Sequence, residues 1–575
     1  MKRCIALIVL ASLSEAFAGT GYTRIEYDFS SAPQVGFLRK VVDDRVGARS
    51  LIGPQGKSAL KIVFRRDRTV SGENTVVRVA DNTATVLASR PRGFVFGAGL
   101  LLRTISYSRG AFELEDGEYR FEPKSPIRIV YFARHFENWY HRAGAHELCR
   151  YVDDLALWGV NSIKMHLEYP DVDRADAMPG DNEGVLGTSN AFVERMKQLD
   201  LDIVVVGGNN CGPKDMPDSI KAEPNKERYR GDTRFNVCPE KPGAKDWLFK
   251  NRYVTLDIVK DVPVAAWIYW PYDEGGCSCD KCSPWGGVGY PKLMKEMWEI
   301  NRKKFPNAKS YVSTWLFDDR DWPLFYKYLE KEDWIDAIIA DAHEDFPKYL
   351  TEHPLPKKIP ILTFPEISMW GRYPWGGTGA QPLPARFERL YRQAQPYVSG
   401  YEVYSEGLFE DINKIVVNGL YCAPEKTAGD VLDEYCRYEF PGVKTVDFRQ
   451  LCAYLEETHK TRIEGRGITF GNFIGTYLRE GPDAELVHKA EAAAKAYELA
   501  CRMENDMLGL RRGCWRWRHL KLRALLDREL FTHRTLHTPE ADRAFSEITE
   551  LYHAENQMRL LVEGEEGGYT APPRW

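Results

Sequence analysis

The chain has 575 residues, 43% hydrophobic and 28% charged, a soluble globular composition too long for one ordinary core, so roughly two to four domains are expected. A formal charge of −5 leaves no basic excess to neutralise phosphates, which argues against nucleic acid as a partner. Aromatic residues make up 12% of the chain, which suits a large aromatic core or a cleft in which flat rings cover sugar faces.

Residues 1–18 read as an export signal. Met1-Lys2-Arg3 is basic, Cys4 to Leu13 is apolar, and Ala16-Phe17-Ala18 fits a small-x-small cleavage site before Gly19. Cleavage near Ala18 and a periplasmic or extracellular location are expected. The apolar run is shorter than the ~20 residues that span a bilayer, and no later segment does better, so no membrane span is expected. Without Cys4, eleven of the 12 cysteines remain, an odd number for an exported chain. Most of Cys149, Cys422, Cys436, Cys452, Cys501 and Cys514 lie in helical patterns and read as buried small hydrophobes.

Residues 19–122 read as a small α+β accessory domain. Thr23–Tyr27 and Ala59–Phe64 alternate like half-buried strands, and Val76–Leu87 suggests two strands around a turn at Asp81-Asn82. Gly93–Ile105 has helical spacing, with Gly97, Ala98 and Gly99 small enough to let a helix lie close to a sheet. The shape is zincin-like, but the His-Glu-x-x-His pair of a zinc protease is missing.

Across 123–427 strand and helix alternate. The strand candidates are Ile127–Ala133, Val160–Leu167, Ile203–Gly207, Val264–Trp270, Ser310–Trp315, Ala337–Asp341, Ile359–Phe364 and Gly400–Tyr404. Helical runs such as Ala145–Trp158, Tyr290–Lys304 and Pro384–Gln395 separate them. Eight such units fit a (β/α)₈ TIM barrel within an α/β fold. A doubly wound open sheet would carry a Gly-rich phosphate turn after an early strand, and none is present. Residues 428–575 read as an α-helical domain, with helices over Ala484–Met507 and Arg511–Leu530 and a loose Gly/Pro-rich tail. No internal repeat or low-complexity linker interrupts the chain.

Catalytic groups of a barrel project from the C-terminal strand ends. Those ends offer Arg134 and His135, then His166 and Glu168, then Asn209 and Asn210, then Asp273 and Glu274. Trp315 and Asp318, Asp341 and His343, Glu366 and Trp370, and Glu402, Tyr404 and Glu406 complete the mouth. Glycosidic bond cleavage needs a protonated carboxyl for the leaving oxygen and a second group for the water or the cationic centre. Adjacent carboxylates split their pKa values. Asp273-Glu274, between an apolar strand and Gly275-Gly276, is the best placed pair, with Asp341 and Glu366 as further catalytic candidates. Arg134, His135, His166, Asn209, Trp315, His343, Trp370, Tyr404 and Glu406 are the candidate substrate contacts. Arg134, His135 and His166 suit an acidic sugar.

The run Tyr269-Trp270-Pro271-Tyr272-Asp273-Glu274-Gly275-Gly276 resembles the Asp-Glu signature after barrel strand 4 of family 20 β-hexosaminidases. Gly93–Ile105 is similar to the junction before the barrel in those enzymes and in family 67 α-glucuronidases. The resemblance implies an accessory domain before a TIM barrel and, from family 67, a helical C-terminal domain. By family 20, Glu274 is the acid and Asp273 orients a substrate acetamido group that acts as nucleophile. By family 67, Glu274 is the acid and Asp341 and Glu366 are the base candidates of an inverting reaction. Trp270-Pro271-Tyr272 stands where hexosaminidases carry His-x-Gly-Gly, and carboxylates on strands 6 and 7 tilt the reading toward the second.

Three cysteines in six residues, Cys277, Cys279 and Cys282, can take three positions of a structural zinc site, with Cys238 or Cys211 as the fourth; the alternative is a disulfide. A closed four-cysteine site has no catalytic position, so no cofactor is expected in the reaction. The resulting expectation is an exo-acting glycoside hydrolase that removes a terminal sugar, acidic or N-acetylated, from an oligosaccharide or polysaccharide. The alternatives are a substrate-assisted N-acetylhexosaminidase, a non-catalytic carbohydrate-binding protein on the same scaffold, and a zinc hydrolase, which would need an open site with His ligands. Nothing in the sequence sets an oligomeric state.

Overall fold

The computed structural model describes residues 21–52, 58–133, 139–165, 182–211, 216–224, 236–272, 275–343, 345–365, 382–405, 407, 411–459 and 474–552. Residues 1–18, expected to be an export signal, lie outside the described residues. No described helix is long and apolar enough to cross a membrane.

The first unit is a five-stranded sheet. Its strands are β1 (Arg24–Asp28), β2 (Ala59–Arg66), β3 (Thr75–Ala80) and β4 (Thr83–Ala88), with β5 (Ser106–Ser108) and β6 (Ala111–Glu113) forming a separate ribbon before β7 (Gly117–Phe121). The order is β1-β2-β4-β3-β7, parallel from β1 to β4 and antiparallel across β3. Asp81 and Asn82 join β3 to β4 with φ of 50° and 59°, the left-handed pair that matches the twist of a two-residue hairpin.

Two helices cover this sheet. One, Leu38–Ser50, was not apparent from the sequence pattern. The other, Pro91–Thr104, begins on Pro91 and uses its small residues in two directions. A Cβ on Gly97 would meet Val86 of β4 at 2.3 Å, whereas one on Gly99 would meet the Leu157 carbonyl oxygen of the next unit at 1.8 Å.

The second unit is a closed barrel of eight parallel strands: β8 (Ile127–Phe132), β9 (Ser162–Met165), β10 (Asp202–Gly208), β11 (Val264–Tyr269), β12 (Lys309–Ser313), β13 (Ala337–Asp341), β14 (Ile361–Phe364) and β15 (Gly400–Ser405). These are the eight apolar runs of the sequence, and β15 closes on β8 with Gly400 opposite Ile127. Strands buried on both faces read as near-continuous apolar stretches, which is why they were legible. After the barrel the described elements are helical, including Ala428–Glu439, Thr445–His459, Asp483–Asp506 and Trp515–His533. One helix expected to start at Arg511 begins at Trp515 instead, because Gly509–Gly513 winds as a short 3-10 turn and Cys514 is extended.

Arginines join the units. Arg45 and Arg49 of the first helix reach Asp154 and Glu439, and Arg516 from the C-terminal region meets Asp154 and Asp411. Arg128 in β8, fully buried, donates to Glu73 at 2.6 Å. Arg103 donates to Glu434 at 2.7 Å, and Lys426 takes the other oxygen of that carboxylate at 2.7 Å.

Gly99→Ala is expected to destabilise the protein by about 1–3 kcal/mol or more through the clash with Leu157. Gly47→Ala, in a helix interior with no atom within 4 Å of the new methyl, should stabilise by up to about 1 kcal/mol. Thermal unfolding of the two variants checks the pair; equal midpoints would contradict the close packing at Gly99. A second expectation concerns acid. Burial opposes ionisation of Glu434, but Arg103 and Lys426 overcome it and hold the group down to about 2 from an ordinary 4.5. The folded value is lowered, so the stabilisation is present above the unfolded value and is lost as pH falls from there toward 2. The advantage of wild type over Glu434→Gln should therefore be about 2–3 kcal/mol at neutral pH and vanish toward pH ~2, followed by denaturant unfolding across pH.

Candidate functional site

The C-terminal mouth of the barrel is floored by a ring of side chains in mutual contact. Tyr131 on β8 meets Tyr404 on β15 with ring centroids 5.2 Å apart, and Tyr404 meets Phe364 of β14 at 6.3 Å. Phe364 packs on Trp270 at 5.2 Å and on Trp315 at 5.5 Å. Trp270 and Trp315 are 5.8 Å apart, and Trp315 meets the His343 ring edge-on at 6.1 Å. Lys164 on β9 closes the ring, with its Nζ 3.8 Å from the Tyr131 ring and 4.7 Å from that of Trp270. Trp270, Tyr404, Asp341 and His343 remain half-buried, whereas Phe364, Trp315 and Tyr131 are buried.

Lys164 also donates to Glu402 of β15 at 2.7 Å, and both side chains are almost fully buried. Burial pushes the Glu402 carboxyl up, against the opposing pull of Lys164. Among the described residues its Oε2 has no hydrogen-bond partner. Glu402 is one of the mouth residues expected from the sequence, whereas Lys164 is not. The signal for Lys164 was available: a lysine inside the apolar strand Ser162-Ile163-Lys164-Met165 must either point outward or find an acid inside.

Asp341, at the end of β13, is tied to two loops. Its Oδ2 accepts from the Leu316 amide at 3.1 Å and its Oδ1 from the His343 amide at 3.2 Å. Leu316 has φ of 57°, uncommon for a branched residue, and its position next to Trp315 turns that indole over the barrel. Asn209 follows β10 and accepts from the Cys211 amide at 2.9 Å, so it shapes its own turn.

Asp273, Glu274, Glu366, Arg134, His135, His166, Trp370 and Glu406 lie outside the described residues. The backbone on either side of 273–274 is pinned. Before it, Trp285 Nε1 donates to the Pro271 carbonyl at 2.7 Å, and the Tyr272 hydroxyl donates to Asp321 and accepts from the Gly286 amide. After it, buried Asn210 holds Gly276 with two bonds of 2.8 Å, one to its amide and one to its carbonyl. A Cβ at Gly275 would meet the Pro271 carbonyl at 2.3 Å, so the close return of the chain requires glycine.

The cysteines come together beside this clamp. The sulfurs of Cys238, Cys277, Cys279 and Cys282 all lie within 4.8 Å of one another, and those of Cys238 and Cys279 are 3.7 Å apart. Of the two fourth ligands considered, the fold brings in Cys238. None of the eleven described cysteines is joined in a disulfide. The hydrogen bond from Cys282 pulls the Cys277 thiol down to about 5, and burial pushes Cys238 up to about 12.

No protein-family model and no curated protein matches the chain. Solved structures do match in fold. A family 115 4-O-methyl-α-glucuronidase with specificity for decorated arabinogalactans superposes with a TM-score of 0.57 at 11% identity, over 95% of this chain and 77% of its own. A family 138 enzyme targeting pectin rhamnogalacturonan II gives 0.56 at 9% identity, over 92% and 74%. A family 89 glycoside hydrolase from Clostridium perfringens, bound to a 2-acetamido-dideoxynojirimycin, gives 0.56 at 12% identity, over 86% and 66%. The fold implied by the resemblance is thus borne out as one shared with these glycoside hydrolases, and identities this low show the fold alone.

Lys164→Met should destabilise the protein by about 3–5 kcal/mol, because it leaves Glu402 buried without its cation. The double variant Lys164→Met with Glu402→Leu should recover most of that loss. A double-mutant cycle by denaturant unfolding measures the coupling, and an additive cycle would mean the two groups do not support each other.

Proposed function

We propose that this chain is an exo-acting glycoside hydrolase that removes a terminal sugar from a glycan, with Glu274 as general acid. The observation that carries the proposal is the barrel mouth. Half-buried Trp270 and Tyr404, the Asp341 carboxylate and the Lys164–Glu402 pair surround the strand ends where barrels do chemistry. Aromatic rings offer apolar faces to a sugar, and the polar groups offer donors and acceptors to its hydroxyls. The shared fold with an α-glucuronidase, a rhamnogalacturonan II enzyme and a family 89 hydrolase supports the class.

Glu274 would protonate the leaving glycosidic oxygen, while a carboxylate on the opposite face activates water. Asp341 already accepts backbone amides on both oxygens, which supports a positioning role for it, holding the Trp315 turn against strand 6. Glu366 is then the favoured base, and Asp273 orients the substrate beside the acid. Arg134, His135 and His166 favour a sugar bearing a carboxylate; Asn209, His343, Trp370 and Glu406 would complete its contacts. The signal-like residues 1–18 support export, where polymeric glycans are met.

Wild type should hydrolyse at least one substrate in a panel of aryl α- and β-glycosides that includes glucuronides and N-acetylhexosaminides. Glu274→Gln should lower turnover by about 10²–10⁴-fold while retaining binding. Inversion at the released anomeric carbon, read by NMR, would support Glu366 as base. Retention with an N-acetylated substrate would support acetamido assistance oriented by Asp273. A wild-type protein that binds a glycan, releases no sugar and is unaffected by Glu274→Gln would instead be a carbohydrate-binding protein.

A further inference from the structure

We infer that Cys238, Cys277, Cys279 and Cys282 form a closed tetrahedral site for one zinc ion, which braces the exit of the loop after β11. The reading is independent of the activity proposed above. Zinc bound to sulfur at about 2.3 Å in a tetrahedron sets its ligands about 3.8 Å apart. The Cys238 and Cys279 sulfurs are 3.7 Å apart, and no pair of the four exceeds 4.8 Å. A disulfide draws two sulfurs to about 2.0 Å and leaves the others aside. Here four thiols from two separate segments surround one point.

The backbone brings the thiols together: the amides of Cys282 and Ser283 both donate to the Cys279 carbonyl, at 3.0 and 2.9 Å. That fold-back places Cys279 and Cys282 on the same side. Cys238 arrives from the segment after β10, anchored by its own amide to the Ile220 carbonyl at 2.9 Å.

Four soft thiolates in a tetrahedron select zinc over oxygen-seeking cations. With all four positions filled by protein, no site is left for water or substrate, so the ion is structural. Its place explains its use. Cys277 directly follows Gly276, which Asn210 clamps, so the metal and the amide clamp hold consecutive residues at the end of the loop.

The test uses the full chain purified without chelator. Mass spectrometry should find about one zinc per chain. A mercurial reagent should release it by forming mercury–sulfur bonds with these thiolates, and in untreated protein the four cysteines should resist alkylation until a chelator has removed the zinc. Chelator-treated wild type titrated with Co²⁺ should show the intense visible bands of tetrahedral thiolate cobalt, which zinc displaces. Cys277→Ser and Cys282→Ser should each lose the bound zinc. The wild-type titration keeps the test valid if those variants fail to fold. Less than about a tenth of an equivalent of zinc after zinc is supplied, iron in its place, or non-reduced peptides linking any of the four cysteines by a disulfide would overturn the assignment.

Discussion

A closed parallel barrel has no edge and no empty interior, so every inward-pointing side chain must be accommodated by those of the other strands. That constraint organises the mouth of this protein. The rings of Tyr131, Tyr404, Phe364 and Trp270, with the ammonium of Lys164, fill one level of the barrel by touching in sequence around it. A lysine at that depth is tolerable only because β15 presents Glu402 across from it, and a glutamate only because of the lysine. The aromatic faces serve the pair in turn, since a ring face is a favourable neighbour for a cation from which water has been excluded. The same layer that closes the core is therefore the floor on which any ligand would rest.

Above that floor the loops must hold polar groups in place without a sheet to support them. The loop after β11 is fixed by bonds reaching it from three directions: Trp285 and Tyr272 before residues 273–274, Asn210 after them, and the cysteine cluster beyond. Each contact uses a backbone amide or carbonyl as one partner or grips a residue adjacent to one. The loop after β12 is fixed differently, by the left-handed turn at Leu316 whose amide is held by Asp341.

Much of this was legible in the sequence, for reasons that also mark where legibility ended. Barrel strands buried on both faces leave continuous apolar runs, and all eight were read within a few residues of their ends. Asp81-Asn82 announced its hairpin because few residues accept the left-handed conformation twice in succession. The helix Leu38–Ser50 was hidden because its buried stripe, Leu38, Val41, Val42, Arg45, Val46 and Arg49, contains two arginines. These are core positions only once Asp154 and Glu439 arrive from distant parts of the chain. Lys164 was overlooked for the same reason. Three cysteines of the cluster were obvious from spacing, but the fourth, Cys238, comes from 39 residues before Cys277 and depends on the barrel to bring consecutive strand ends side by side.

Long-range charge pairing is thus what the local pattern does not carry, and it is also what unites the molecule. Arg45 and Arg49 from the first unit, Asp154 from a barrel helix, and Glu439, Arg511 and Arg516 from the helical region form one connected set of charges. Burying an arginine is costly unless its fork is satisfied, so each unit completes the desolvated charges of the others. Asp154 is the hinge of the set, because burial alone would favour its neutral form while Arg45 and Arg516 together hold it ionised. The network runs along the helices around the barrel, and through Arg516 it also reaches Asp411, the first residue of the helix after β15. Charge pairing between units and the packed ring layer within the barrel thus secure the fold by different means, the first joining the units and the second filling the barrel beneath its mouth.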